Sequence, residues 1–123
     1  MNLADKLGIK PGMNINVINC PESYDTFLSL PILEKLVKQD KDQPFDFIHI
    51  FIEDVDDIEG YINKIEPSLH KHGVLWISWP TEMDISNKGV QEYIKLNVFK
   101  NGLVDRLLIK LNLQWYGIKI KKV

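Results

Sequence analysis

Two almost continuously apolar runs constrain this chain most: residues 45–52 (FDFIHIFI) and 74–79 (VLWISW). A strand with one face in water alternates polar and apolar residues. Runs without alternation suit strands buried on both faces, as in a parallel sheet covered by helices. Between the runs, Val55, Ile58, Ile62, Ile65 and Leu69 recur at i, i+3, i+4 spacing, the stripe of a helix laid on that sheet. Asp54 is placed to cap this helix, and Asp56, Asp57 and Glu59 put negative charge in its positive first turn. Pro67 ends the regular helix. His70, Lys71 and His72 are expected at its C-terminal end, before Gly73.

The remaining segments extend the same alternation. Residues 3–8 read as a short amphipathic helix stopped at Gly8, and Pro11–Gly12 as a turn. Residues 13–19 (MNINVIN) read as a strand. Pro21 suits the first turn of the next helix, whose stripe is Tyr24, Phe27 and Leu28 and which ends between Ser29 and Pro31. Residues 32–39 fit a short strand and a helical turn equally well, and 40–44 (DKDQP) form a loop. Residues 86–100 read as a helix with Val90, Ile94 and Val98 on one face and Gly102 as its C-cap. Residues 106–112 and 115–121 read as an antiparallel hairpin turning near Asn112 to Gln114. The expectation is one domain over 1–123: a three-layer α/β/α sandwich, mostly parallel, closed by an antiparallel C-terminal hairpin.

Composition narrows the function classes. With 123 residues and a net charge of −2, the chain has no overall attraction to nucleic acid, and none is expected as a partner. All 17 acidic residues lie before residue 106, whereas Arg106, Lys110, Lys119, Lys121 and Lys122 lie at or after it. A single cysteine leaves no internal disulfide, and no Cys/His spacing suits zinc, so no metal is expected. His70 and His72 are two apart and do not form a helical i, i+4 pair. The N-terminus lacks the apolar core of a signal peptide, and no apolar run approaches the ~20 residues that span a bilayer. A cytoplasmic protein without membrane contact is expected.

The wording of several segments resembles S-adenosylmethionine-dependent methyltransferases. LGIKPGMNINVIN is similar to their opening, in which a Lys-Pro-Gly turn enters the first strand. FDFIHIFIED is similar to a strand followed by an acid, and LHKHGVLWISWP to a glycine turn entering a central strand. The resemblance covers residues 8–122 in abbreviated form and implies a Rossmann-like, methyltransferase-like fold. Its second and third strand–helix units are shortened or missing between Ser29 and Pro44. LGIKPG, GVLWISWP and the closing GLVD…QWYGIKI resemble more closely a small bacterial family of Rossmann-like domains of unknown function. Members of that family usually carry Lys after Trp-Pro, where this chain has Thr81.

The resemblance implies a glycine-bearing turn after the first strand and an acid after the second that holds the ribose. The first junction here reads Asn19, Cys20, Pro21, Glu22, and no glycine occurs between Gly12 and Gly60. Glycine matters at such a turn because it permits positive φ and close backbone approach. No ribose-binding acid is identifiable. A phosphate is also disfavoured, because Pro21 removes an N–H donor and Glu22 supplies a negative charge. The crevice beyond the carboxyl ends of the strands would gather Glu22, Asp25, Glu53, Asp54, Asp56, Asp57, Glu82 and Asp84. Such an edge repels anions and tolerates a cation, an amine or a basic partner.

A ligand in this fold would lie over 19–24, 53–55 and 79–82. The ligand-binding candidates are therefore Cys20, Glu22, Ser23, Tyr24, Glu53, Asp54, Trp79, Pro80 and Thr81. Trp79 would stack on a planar group or cover the sheet end. Cys20 sits near a helix N-terminus, which lowers a thiol pKa. His49 shares a strand face with Phe47 and Phe51 and reads as a hydrogen-bonded core histidine. Trp115 and Tyr116 read as core residues of the hairpin. No catalytic residue is assigned. A response-regulator receiver is rejected: it needs paired acids after the first strand and a Lys-Pro after the last.

The functional expectation is a non-catalytic binding or regulatory module without a cofactor. One alternative is a divergent S-adenosylmethionine-binding protein or methyltransferase. Another is an interaction domain that uses the acidic crevice edge and the basic hairpin toward a protein partner or a second copy.

Overall fold

A computed structural model describes residues 2–82 and 87–123, with the side chains of 87 and 88 excepted. Ten elements follow one another: α1 (Leu3–Leu7), β1 (Ile15–Ile18), α2 (Tyr24–Leu28), α3 (Leu33–Leu36), β2 (Phe45–Phe51), α4 (Ile58–Ile65), β3 (Leu69–Pro80), α5 (Asn87–Lys100), β4 (Leu103–Lys110) and β5 (Trp115–Lys122). Short 3-10 turns, Val55–Asp57 and Glu66–Ser68, flank α4.

The strands form one sheet in the order β1-β2-β3-β5-β4. β1, β2 and β3 pair in parallel, β5 runs antiparallel to both β3 and β4, and four of the five strands therefore share a direction. One face buries Ile48, Ile50, Leu75, Ile77 and Trp79 under α4 (Ile58, Ile62, Ile65) and α5 (Val90, Ile94, Val98). The other buries Ile15, Phe47, Phe51 and Trp76 under α1 and α2 (Leu7, Tyr24, Phe27, Leu28). Helices on both faces make the expected three-layer sandwich, and explain why the two founding runs carry so little polarity. Trp76 Nε1 donates to the Leu7 carbonyl at 2.9 Å, pinning α1 to the sheet.

The ambiguous stretch 32–39 forms a helical turn and one isolated bridge rather than a strand. Leu33–Leu36 form one helical turn, and Lys38 then makes a single parallel bridge to Asn14 on the outer side of β1. That bridge stands where a further strand–helix unit would begin. Asn14 holds the shortened connection: its Nδ2 donates to the carbonyls of Asp40, Gln43 and Pro44, and its Oδ1 accepts from the Asp40 amide.

Several boundaries depart from the sequence reading; the first hairpin strand, expected at 106–112, is β4 and runs from Leu103 to Lys110. His70, Lys71 and His72 do not end a helix; β3 already begins at Leu69, which pairs with Phe45. The register then shifts, so that Val74 faces Phe47, and Gly73 passes within a tight space against the Phe45 and His70 carbonyls. Pro21 lies before α2 rather than in its first turn; Ser23 is the N-cap. Among the described residues, no helix is long and apolar enough to cross a membrane.

Candidate functional site

In a parallel sheet the strands deliver their carboxyl ends to one edge, where loops leave the backbone unpaired and room for a ligand. At that edge β1, β2 and β3 end at Ile18, Phe51 and Pro80, beside the start of β5 at Trp115. A cavity of about 360 Å³ opens over the ends of β1 and β2, lined by Asn19, Pro21, Phe51, Glu53, Asp57 and Tyr61. A second, of about 350 Å³, continues over β3 and β5, lined by residues including Pro80, Thr81, Glu82, Leu113 and Trp115. Both include Pro21 and Glu53, so together they form one crevice along the sheet edge.

The junction after β1 resolves the missing glycine. Asn19 adopts φ 63°, the left-handed region where glycine would be expected. Asparagine is one of the few other residues that enter it at small cost. Its Nδ2 donates to the Tyr61 hydroxyl, so the side chain ties the end of β1 to α4 at the crevice mouth. The sharp turn is kept; the open backbone surface of a glycine is replaced by an amide.

Charge in the crevice is negative. Glu53 and Asp57 line the first cavity, and Glu53 and Glu82 the second. Asp54 is spent locally, its Oδ1 accepting the Asp56 amide at 2.9 Å as the expected cap. Glu22 is exposed, and Asp25 lies in a separate shallow hollow beside α2 with Thr26 and Ser29. Asp84 falls outside the described residues.

The candidates from sequence divide accordingly. Glu53, Pro80 and Thr81 line the crevice, and Thr81 also fixes the hairpin loop, its N–H and Oγ1 donating to the Gln114 and Leu113 carbonyls. Ser23 is exposed and hydrogen-bonded to Thr26, 2.7 Å between their hydroxyls. Two aromatics among the candidates are buried. Trp79 is fully buried and packs on Tyr116, with 5.9 Å between ring centroids; of the two readings left open for it, this position is that of a residue covering the sheet end. Tyr24 is buried, its hydroxyl 2.5 Å from His49 Nδ1. Trp115, expected as core first and interface second, supplies an aromatic wall of the crevice while packing edge-on against Phe51. Asn19 lay within the expected 19–24 span but outside the named candidates, and Tyr61 was not singled out from sequence. Tyr61 carried one signal, its place beside Ile62 at the margin of the α4 stripe.

His49 and Ser78 lie on the same sheet face as Tyr24. His49 Nε2 is 2.7 Å from Ser78 Oγ, which completes a chain Tyr24–His49–Ser78 beneath the crevice floor. Burial alone pushes the imidazole down to about 3, so it is neutral, with one ring nitrogen donating and the other accepting. Burial likewise raises Tyr24 well above the usual phenol range, and the nearby Cys20 adds to this. The Cys20 thiol is raised too, by burial first and by the Glu22 charge, against a lowering backbone hydrogen bond at Glu22. The helix N-terminus that could have lowered Cys20 begins only at Tyr24, and the raised thiol accords with the buried structural thiol preferred from sequence over a reactive one.

No protein-family model matches the chain, and no curated protein sequence matches it. Its fold has many solved counterparts. The ribosomal protein L11 methylase of Lactobacillus delbrueckii subsp. bulgaricus superposes with TM-score 0.66 at 12% identity, over 98% of this chain and 74% of that one. A SAM-dependent methyltransferase from Aquifex aeolicus gives TM-score 0.66 at 14% identity, over 98% and 88%. A TehB-like SAM-dependent methyltransferase from Corynebacterium glutamicum gives TM-score 0.58 at 12% identity, over 98% and 85%. These neighbours overturn the expectation of a domain built for no cofactor, since two of them are named for their dependence on S-adenosylmethionine. The chain carries a shortened form of the methyltransferase-like Rossmann fold.

Proposed function

We propose that this domain binds S-adenosylmethionine in the crevice along the carboxyl edge of β1, β2 and β3. The observation that carries the reading is the glycine-free junction itself. Asn19 retains the left-handed turn and leaves a cavity of about 360 Å³ between the end of β1 and α4. That volume falls within the roughly 300–1,000 Å³ of ligand sites. Phe51 and Tyr61 are among the residues that line the cavity and would give a planar group aromatic neighbours.

Its carboxylates, Glu53 and Asp57, suit the positive sulfonium and ammonium of this ligand and disfavour a phosphate. With the second and third strand–helix units shortened, the ribose-binding acid has no strand to carry it. The ligand is then held by one end of the usual site, and affinity in the micromolar-to-millimolar range follows. Binding is favoured over turnover: His49 and Tyr24 are buried in the core and Cys20 is held as a protonated thiol, which leaves carboxylates such as Glu53 and Asp57 facing the crevice.

Thermal denaturation with increasing S-adenosylmethionine tests the reading, because a ligand of the folded state raises the melting temperature by mass action. The midpoint should climb with concentration in the parent chain and climb less in Glu53→Gln. A midpoint indifferent to millimolar ligand overturns the proposal.

A further inference from the structure

The helix α5 uses only one side for the core. Val90, Ile94 and Val98 are buried on the sheet together with Asn97. The opposite side carries Glu92, Leu96, Phe99 and Lys100, all exposed, with Leu96 at 54% and Phe99 at 80% of full exposure. At about 100° per residue these four fall within an arc of roughly 100°, with half-buried Tyr93 at its margin. Single exposed apolar residues are ordinary. Here a leucine and a phenylalanine lie one turn apart, with an acid at one end of the stripe and a base at the other.

That arrangement is self-complementary. Two copies of α5 crossing antiparallel about a two-fold axis at Leu96 place residues equally distant from the axis at equal height. Leu96 then meets its own copy, Tyr93 meets Phe99 of the partner, and Glu92 meets Lys100 of the partner about 6 Å along the helix on either side. A parallel pairing would set Glu92 on Glu92 and Lys100 on Lys100. β4 exposes Leu107 and Leu108, but antiparallel pairing of two β4 edges about Leu108 sets Arg106 against Lys110.

We infer that the chain forms an isologous homodimer through α5, with Leu96 on the axis, Phe99 packed on the partner's Tyr93, and paired Glu92–Lys100 contacts at the rim. A face of one helix is small beside the ~800 Å² per partner of a stable complex, so the dimer dissociates with a constant of about 10 µM to 1 mM.

Sedimentation velocity over a concentration series spanning about 5 µM to 1 mM tests this. The parent chain should pass from monomer to dimer, and Phe99→Ser should raise the dissociation constant at least tenfold. Glu92→Lys and Lys100→Glu should each weaken the dimer about threefold, and the double exchange should restore it. All three substitutions lie on an exposed face, and an unchanged far-ultraviolet circular dichroism spectrum verifies the fold. The exchange pair reads the register directly, because it conserves composition and leaves the apolar contact intact. A chain monomeric throughout, a dimer indifferent to Phe99→Ser, or a double exchange that fails to restore association each overturns the inference.

Discussion

Asn19 donates from Nδ2 to the hydroxyl of Tyr61, joining the end of β1 to α4 across the mouth of the crevice. The same residue holds φ 63°. One asparagine therefore supplies both the turn geometry that glycine would give and a fixed polar group facing the cavity.

The two roles of Asn19 separate by substitution. Asn19→Gly keeps the left-handed turn and loses only the side-chain contact, so stability should change by less than about 1 kcal/mol. Asn19→Val brings a β-branched side chain into the same φ and should cost about 2 kcal/mol in urea denaturation.

The buried imidazole makes stability depend on pH. His49 titrates near 3 in the folded chain, whereas a free histidine titrates near 6.5. Between those values the unfolded chain binds a proton that the folded chain refuses, so stability falls as pH falls. This site should remove about 2 kcal/mol between pH 7 and pH 5. Urea melts at both pH values should show the loss in the parent chain and a smaller one in His49→Gln. An equal loss in both would remove His49 as its source.

Gly73 marks the point where β3 closes on β2. An added Cβ would lie 3.0 Å from the carbonyl oxygens of both His70 and Phe45 and 2.8 Å from Leu69 Cδ1. The leucine can turn away, but the two backbone oxygens cannot move without disturbing the register shift. Gly73→Ala should lower stability by about 1–2 kcal/mol, read as a fall in melting temperature.

Much of this was legible in the sequence because burial writes itself into composition. The runs at 45–51 and 74–79, the Asp54 cap and the Val90, Ile94 and Val98 face all follow from local pattern. What escaped depends on tertiary partners. His70–His72 read as a helix end because three polar residues give no strand signal, yet β3 extends over them to reach Phe45. For Trp79 the sequence left stacking on a ligand and covering the sheet end both open, and the choice depends on β5 placing Tyr116 beside it. The aromatic wall of the crevice belongs to Trp115, which faces Pro80 across the β3–β5 pair. Asn19 could not be told from an ordinary turn asparagine, because its left-handed φ and its Tyr61 contact emerge only once α4 packs against β1.

The central claim is that an acidic crevice at the carboxyl edge of a shortened methyltransferase-like fold holds a positively charged adenosyl ligand. Isothermal titration with S-adenosylmethionine and, separately, with S-adenosylhomocysteine at low ionic strength tests it most directly. The two differ by one methyl group and the sulfonium charge that Glu53 and Asp57 would meet. The expected result is saturable binding of both, with the sulfonium form several-fold tighter and its advantage shrinking as salt is added. No saturable heat with either ligand at millimolar concentration would contradict the claim.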